Sequence, residues 1–299
     1  MRTSSTTVHV PMQRRCVIAV TFLWCSLCCG WAHLEIEEQI AAITLQLEEK
    51  PDDPDLYLQR AELHRFHKDW KLASADYGQA EKLDPKLTAV RLGRGRMLLE
   101  SGEFESAKST LDGVLKEKPD EAQAFFLRGR AVAKLGRARE AVRDFDSALP
   151  IMHRPTAEHY LERARTLVGM KDIEANAEAI RGIEQGIARL GSLNTLHRYA
   201  AEIEVASGHT DEAIARIDAL VVKTKGHLEW LKMRADVLAD SGRCEEAAQA
   251  YKECLAKIDQ IPAHRQAVPL IVKLKLQTEA AIDKLTSGRS DKAEIPSHH

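Results

Sequence analysis

The sequence predicts an all-α protein made of repeated helix pairs, and three observations carry that prediction. Stretches 56–85, 90–119 and 124–149 superpose at a spacing of 34 residues without a gap, a period that belongs to stacked helical units. Small residues recur in register at Ala61, Gly95 and Gly129, and twelve positions later at Ala73, Ala107 and Ala141. Valine, isoleucine and threonine form no alternating runs, while alanine, leucine, glutamate and arginine recur throughout, a bias toward helix over strand. With 44% hydrophobic and 29% charged residues, the chain has the composition of a folded soluble protein.

The first element stands outside that pattern. Arg14 and Arg15 precede an uncharged run over 16–32, and Gly30 to Ala32 offers small residues where a signal peptidase cuts. Residues 1–32 therefore read as a secretory signal peptide. An uncleaved anchor is the competing reading, although the run falls short of the ~20 residues a spanning helix needs. Lipid attachment at Cys25, Cys28 or Cys29 ranks lower, since none follows a Leu-small-small lead-in. Twin-arginine export has only the Arg14–Arg15 pair in its favour. Three of the 43 basic residues and none of the 45 acidic ones lie in this segment. Cleavage would leave a net acidic chain, which argues against a general nucleic-acid binder. Four of the six cysteines would leave as well. Cys244 and Cys254 remain, ten apart on one expected helix, roughly 15 Å of rise and too far for a disulfide. They are expected as two unpaired, buried thiols.

Residues 33–53 form an N-terminal capping helix, amphipathic over 35–50. The repeats occupy 54–260. Within them bulky residues follow the small ones at Tyr77, Leu111 and Phe145, then come Ala80, Val114 and Ala148, and Pro85 and Pro119 close the first two repeats. Three looser repeats follow, marked by Ala164, Ala179, Ile183 and Gly186, by Ala201, Gly208, Ala213, Ile217 and Leu220, and by Ala235, Gly242, Ala247, Tyr251 and Cys254. The fourth holds three extra residues near 171–176. Gly102, Gly136, Gly208 and Gly242 stand where a left-handed turn would join two helices. A C-terminal packing helix covers 261–286, and the polar stretch 287–299 reads as a loose tail.

This register resembles the tetratricopeptide repeat: a bulky residue at position 4, small residues at 8, 20 and 27, an aromatic near 24 and proline at 32. The resemblance implies a right-handed α-solenoid of about six helix pairs. It also implies that positions 2, 5, 9 and 12 of each first helix line a concave groove. Position 5 reads Leu58, Leu92, Phe126, Leu161, Arg198 and Lys232, and position 9 reads Glu62, Arg96, Arg130, Arg165, Glu202 and Asp236. The expected partner-binding groove is thus an apolar row of Leu58, Leu92, Phe126 and Leu161 beside a basic row of Arg96, Arg130 and Arg165. Arginine forks suit carboxylates. Solvated helix faces and packed position-5 residues would produce the same pattern, and burial separates the two readings. The family's clamp for a chaperone's terminal carboxylate is missing, because its places hold Leu58, Glu62, Gly93, Gln123 and Leu127. At position 7, Arg60 and Arg128 are expected to pair with Asp76 and Asp144 of the second helices.

The remaining motifs point away from catalysis. Gly93–Arg94–Gly95 has no preceding strand and no third glycine, so it makes no phosphate loop. His64 and His67 could face one metal ion, yet two ligands are too few, and they read as a solvated surface pair. No catalytic residue, metal or cofactor is expected. The sequence suggests a non-enzymatic scaffold of the cell envelope, periplasmic if the source is bacterial. Its partner would be a protein or peptide of acidic character, with no nucleic acid, and with membrane contact only through an uncleaved leader. A carrier for an anionic glycan or lipid is the alternative, and an enzyme with an unrecognised site ranks below it.

Overall fold

A computed structural model describes residues 35–293, with side chains to residue 286. The signal segment 1–32 lies outside the described residues, as do residues 33–34 of the expected cap. The described residues form fifteen helices and no strand. The first, α1, covers 35–49. The repeats follow as α2 (Pro54–Phe66) and α3 (Trp70–Leu83), α4 (Thr88–Ser101) and α5 (Phe104–Glu117), and α6 (Ala122–Lys134) and α7 (Ala138–Ile151). Next come α8 (Ala157–Val168) and α9 (Ile173–Leu190), α10 (Asn194–Ala206) and α11 (Thr210–Lys223), and α12 (Leu228–Asp240) and α13 (Cys244–Asp259). A single turn, α14 (Ala263–Gln266), leads into α15 (Pro269–Ala293). The last helix runs on past residue 286, where the sequence reading ends it. Nothing between 286 and Pro296 blocks a helical backbone as proline would.

The chain divides into two compact bodies, residues up to Arg137 and residues from Ala138. In the first, α2 packs on α3, α3 on α4, α4 on α5 and α5 on α6, and the first helices also touch one another, α2 with α4 and α4 with α6. The second body repeats this scheme from α7 to α13, and α15 closes it against α13.

Local chemistry sets several helix ends. Asp53 caps α2, its Oδ1 accepting from the backbone N–H of Asp55 at 3.0 Å and of Leu56 at 3.3 Å, with Pro54 opening the helix. Asp172 caps α9 through the N–H of Ala175 at 3.1 Å. Between paired helices one turn recurs. The N–H of Glu103 reaches the carbonyl of Leu98 at 2.8 Å across Gly102, whose φ is 89°. His209 with Glu204 and Arg243 with Leu238 repeat it across Gly208 and Gly242, and Gly136 has the same positive φ of 79°. In the first repeat Lys68 occupies this place at φ 66°, and in the fourth Lys171 does so at 56°.

The small residues mark where helices nearly touch. Ala61, Ala73, Ala107, Ala164, Ala213, Ala235 and Ala247 are all sealed from solvent. A Cβ on Gly95 would stand 2.9 Å from Leu111 Cδ2, and one on Gly186 would stand 2.8 Å from the Tyr160 ring. Tyr77, Leu111 and Met97 fill the core of the first body. Leu167, Ile183 and Leu196, and then Trp230, Ala235 and Tyr251, fill that of the second.

Two expectations fail on burial. Cys254 is buried but Cys244 is exposed, because Cys244 opens α13 whereas Cys254 faces α12 ten residues on. His64 belongs to the interior, with Nε2 3.8 Å from Asp76 Oδ2, since it follows Arg60 by one turn on the packed side of α2. Burial pushes its pKa down, Arg60 and His67 add to this, and Asp76 and Asp69 oppose it. His197 is likewise lowered, by burial and then by Arg216 and Lys223, against Glu184.

Three outcomes follow from this packing. Gly95→Val should cost about 1–3 kcal/mol in urea unfolding, the usual cost of overpacking a sealed contact. Lys68→Gly should gain about 0.5–1 kcal/mol by relieving a left-handed backbone; a loss would show that the lysine is held there by something other than the turn. The two imidazoles set a pH trend. Their folded pKa values lie below the ordinary value near 6.5, so the unfolded chain takes up protons first as pH falls. Their stabilisation is therefore complete above that value and declines as pH drops through it toward the folded pKa. Unfolding midpoints between pH 7.5 and 5.5 should fall less in a His64→Gln/His197→Gln variant than in the parent.

Candidate functional site

Arginines at position 7 organise the repeats before any ligand is considered. Arg60 binds Asp76 as a fork, Nε to Oδ2 at 2.8 Å and Nη2 to Oδ1 at 2.7 Å, as the spacing predicts. That hydrogen bond holds the guanidinium pKa above its ordinary value. A third contact, Nη1 to Thr44 Oγ1 at 3.1 Å, ties α1 to the first repeat. The later arginines also reach backward into the preceding second helix, and Arg163 bridges both neighbours, its Nη2 donating to Glu178 Oε1 of its own repeat at 3.0 Å. Arg94 meets Glu81 at 2.9 Å, Arg128 meets Asp112 at 2.7 Å, Arg163 meets Asp146 at 2.6 Å and Arg234 meets Asp218 at 2.5 Å. Asp112, Asp146 and Asp218 all hold position 25 of their repeats, so the signal was present in the sequence. Burial raises the Asp112 carboxyl, but hydrogen bonds from Lys108 and Arg128 outweigh it and leave its pKa below the usual range.

The expected apolar row is largely sealed. Leu92, Phe126 and Leu161 are 8%, 9% and 7% exposed, and Leu58 is half-buried. Position 5 therefore packs against neighbouring helices and leaves no open pocket there. The basic row lies nearer the solvent. In the first body, Arg130 is half-buried, and Arg96 keeps 29% of its side chain exposed, with Nη1 3.8 Å from Glu62 Oε2. Glu62 is a hub: it accepts from Tyr77 Oη at 2.8 Å and from Arg65 Nη2 at 2.8 Å. Burial and the Glu62 charge push the Tyr77 pKa well up. Gly93 makes room for this pair, since a Cβ there would lie 2.6 Å from Glu62 Oε1 and 2.7 Å from the Tyr77 ring. In the second body, Arg165 is exposed, donates to Glu158 Oε1 at 2.5 Å and lies 5.9 Å from the centre of the Tyr199 ring. The Glu62–Tyr77 arrangement recurs there as Tyr251 Oη donating to Asp236 Oδ1 at 2.8 Å.

The second body also holds a feature that the sequence reading missed. A cavity of about 1100 Å³ lies among α10, α12, the end of α13 and α15. Positions 5 and 9 of the fifth and sixth first helices, Arg198, Glu202, Lys232 and Asp236, line it, and Leu270, Ile271 and Leu274 of α15 form one wall. Two of its cations are already engaged, Arg198 by Glu229 and Lys232 by Asp236 at 2.7 Å. Position 5 is apolar in the first four repeats and charged in these two, which was the available signal. The sequence marked a C-terminal packing helix, and α15 does pack on α13, but nothing in it signalled a cavity beside that helix. Among the described residues no three His, Cys, Asp or Glu side chains gather as metal ligands.

Comparison with known proteins agrees with this geometry. The tetratricopeptide repeat model matches residues 92–151 and 200–260. The chain is similar to DnaJ homolog subfamily C member 3 of Gallus gallus, with 24% identity over 270 residues, covering 87% of this chain and 47% of that protein. It thus spans about half the length of that relative. Among solved structures, the C-terminal part of a TPR repeat-containing protein from Cytophaga hutchinsonii superposes with a TM-score of 0.58 at 17% identity, over 75% of this chain and 91% of that one. A tetratricopeptide repeat protein from Parabacteroides merdae gives 0.50 at 17% identity, over 83% and 94%. These likenesses concern fold. The repeat model itself is met by residues 92–151 and 200–260.

Proposed function

We propose that the chain is a non-enzymatic adaptor of the cell envelope that captures a segment of a partner protein on its first helices. Tetratricopeptide proteins generally mediate contacts between proteins, which supports the class. The observation that carries the reading is the contrast between positions 5 and 9. In the first body Arg96 and Glu62 stay accessible above sealed Leu92 and Phe126, and in the second Arg165 stays accessible above sealed Leu161. A partner laid on such a strip meets charged forks over a closed floor, so charge-assisted hydrogen bonds would dominate its recognition. Arg96 and Arg130 in the first body, and Arg165 in the second by itself, favour acidic side chains on a partner. The envelope location rests on the layout of residues 1–32. No helix among the described residues is long and apolar enough to cross a membrane.

Capture of partner proteins from a native envelope extract, followed by mass spectrometry and by titration with the purified partner, tests this reading. Arg96→Glu/Arg130→Glu should weaken binding at least tenfold, and moderate salt should weaken the parent's binding in the same direction. Lys116→Glu serves as the control, because Lys116 is an exposed residue near the end of the second helix α5. Equal binding by the parent and the double variant would refute the strip.

A further inference from the structure

We infer that the cavity beside α15 binds a single-chain amphiphilic anion, a carboxylate or phosphate head carrying an acyl-length tail. This inference is independent of the adaptor reading, which concerns other side chains. The cavity's volume of about 1100 Å³ suits a small molecule. Its walls are apolar for most of their extent, with Leu228, Met233, Val237, Leu270, Ile271 and Leu274 facing in. Leu270 is 72% exposed, an apolar side chain left mostly uncovered.

The charges are sorted along the cavity. Arg198 and Lys232 are neutralised by Glu229 and Asp236. Lys225 and Lys257 also line it, and among the described residues neither has an acidic partner. Lys257 Nζ reaches the turn that carries Lys225, since a Cβ on Gly226, the next residue, would be 3.8 Å from it. His227 adjoins them in the same turn. This cationic end precedes α12, whereas Asp240 is the last residue of α12, roughly 18 Å away along the axis. Asp236 stands some 12 Å along the same axis, and Glu202 lines the cavity from the equivalent repeat position on α10. An anionic head therefore has one favourable place, beside Lys225 and Lys257, and the tail has the apolar wall of α15 and α12. A neutral ligand would leave both ammonium groups unused, and a cationic one would meet them head-on.

Titration of the full chain with octanoate, decanoate and dodecanoate below their micelle concentrations, followed by calorimetry, tests the inference. Affinity should rise about fourfold per methylene as the tail is buried. Lys225→Glu/Lys257→Glu should weaken dodecanoate binding at least tenfold with an unchanged circular dichroism spectrum, and Leu270→Glu should weaken it as well. Lys116→Glu, an exposed reversal in the other body, should leave it intact. Dodecanol should bind at least tenfold more weakly than dodecanoate. Absence of dodecanoate binding overturns the inference, as does equal binding of dodecanol, or loss in the Lys116 variant matching that in the lysine pair. Two further results would also overturn it: sedimentation with phosphatidylglycerol vesicles without uptake of free dodecanoate, and occupancy of the cavity by an apolar peptide alone.

Discussion

Two helices can share one core only if a small residue stands where they cross, and this structure depends on that constraint. Where Gly95 faces Leu111, there is no room for a single additional methyl group unless the leucine shifts. Alanines stand sealed from solvent at the equivalent places in other repeats. Once a pair is fixed, the hydrophobic residues on its outer side can be buried only by the next pair, so the repeats stabilise one another as neighbours. The recurring left-handed turn sets how each second helix returns. Lys68 and Lys171 adopt it without glycine, which shows that packing, and not local preference alone, imposes that backbone.

Charge then acts on the frame that packing provides. Arg128, Arg163 and Arg234 each reach an aspartate at position 25 of the preceding repeat. These pairs are partly exposed, so each contributes modestly to stability. Their regular placement nonetheless biases how one repeat seats on the last. The position-9 residues lie on the other side of the same helices. There the acids Glu62 and Asp236 are each held by a tyrosine hydroxyl, while Arg96 and Arg165 stay partly exposed beside carboxylates of their own.

Much of this was legible in the sequence, because the 34-residue period reports contacts within a repeat. It located the helices, the turn glycines and the Arg60–Asp76 fork. Contacts between repeats were harder to read, since they depend on how far one pair is rotated against the next. That rotation decides that Arg128 reaches Asp112, and that Leu92, Phe126 and Leu161 are sealed when they could have lined a pocket. His64 lies inside and Cys244 outside for a related reason: helical spacing fixes which residues share a face, but the neighbouring helix decides which face is covered. The cavity was the least legible feature. It exists because α15 folds back beside the last repeat, and α15 carries apolar residues on more than one side, so no single face announces itself.

The account makes the first helices the recognition surface and the second helices the support. Carboxylate labelling of the chain, free and saturated with its purified partner, and read by mass spectrometry, examines that division directly. Glu62 and Glu100 on first helices should lose reactivity in the complex, while Glu103 and Glu105, at the start of a second helix, should react as before. Protection confined to Glu103 and Glu105 would place the partner on the opposite side and contradict the account.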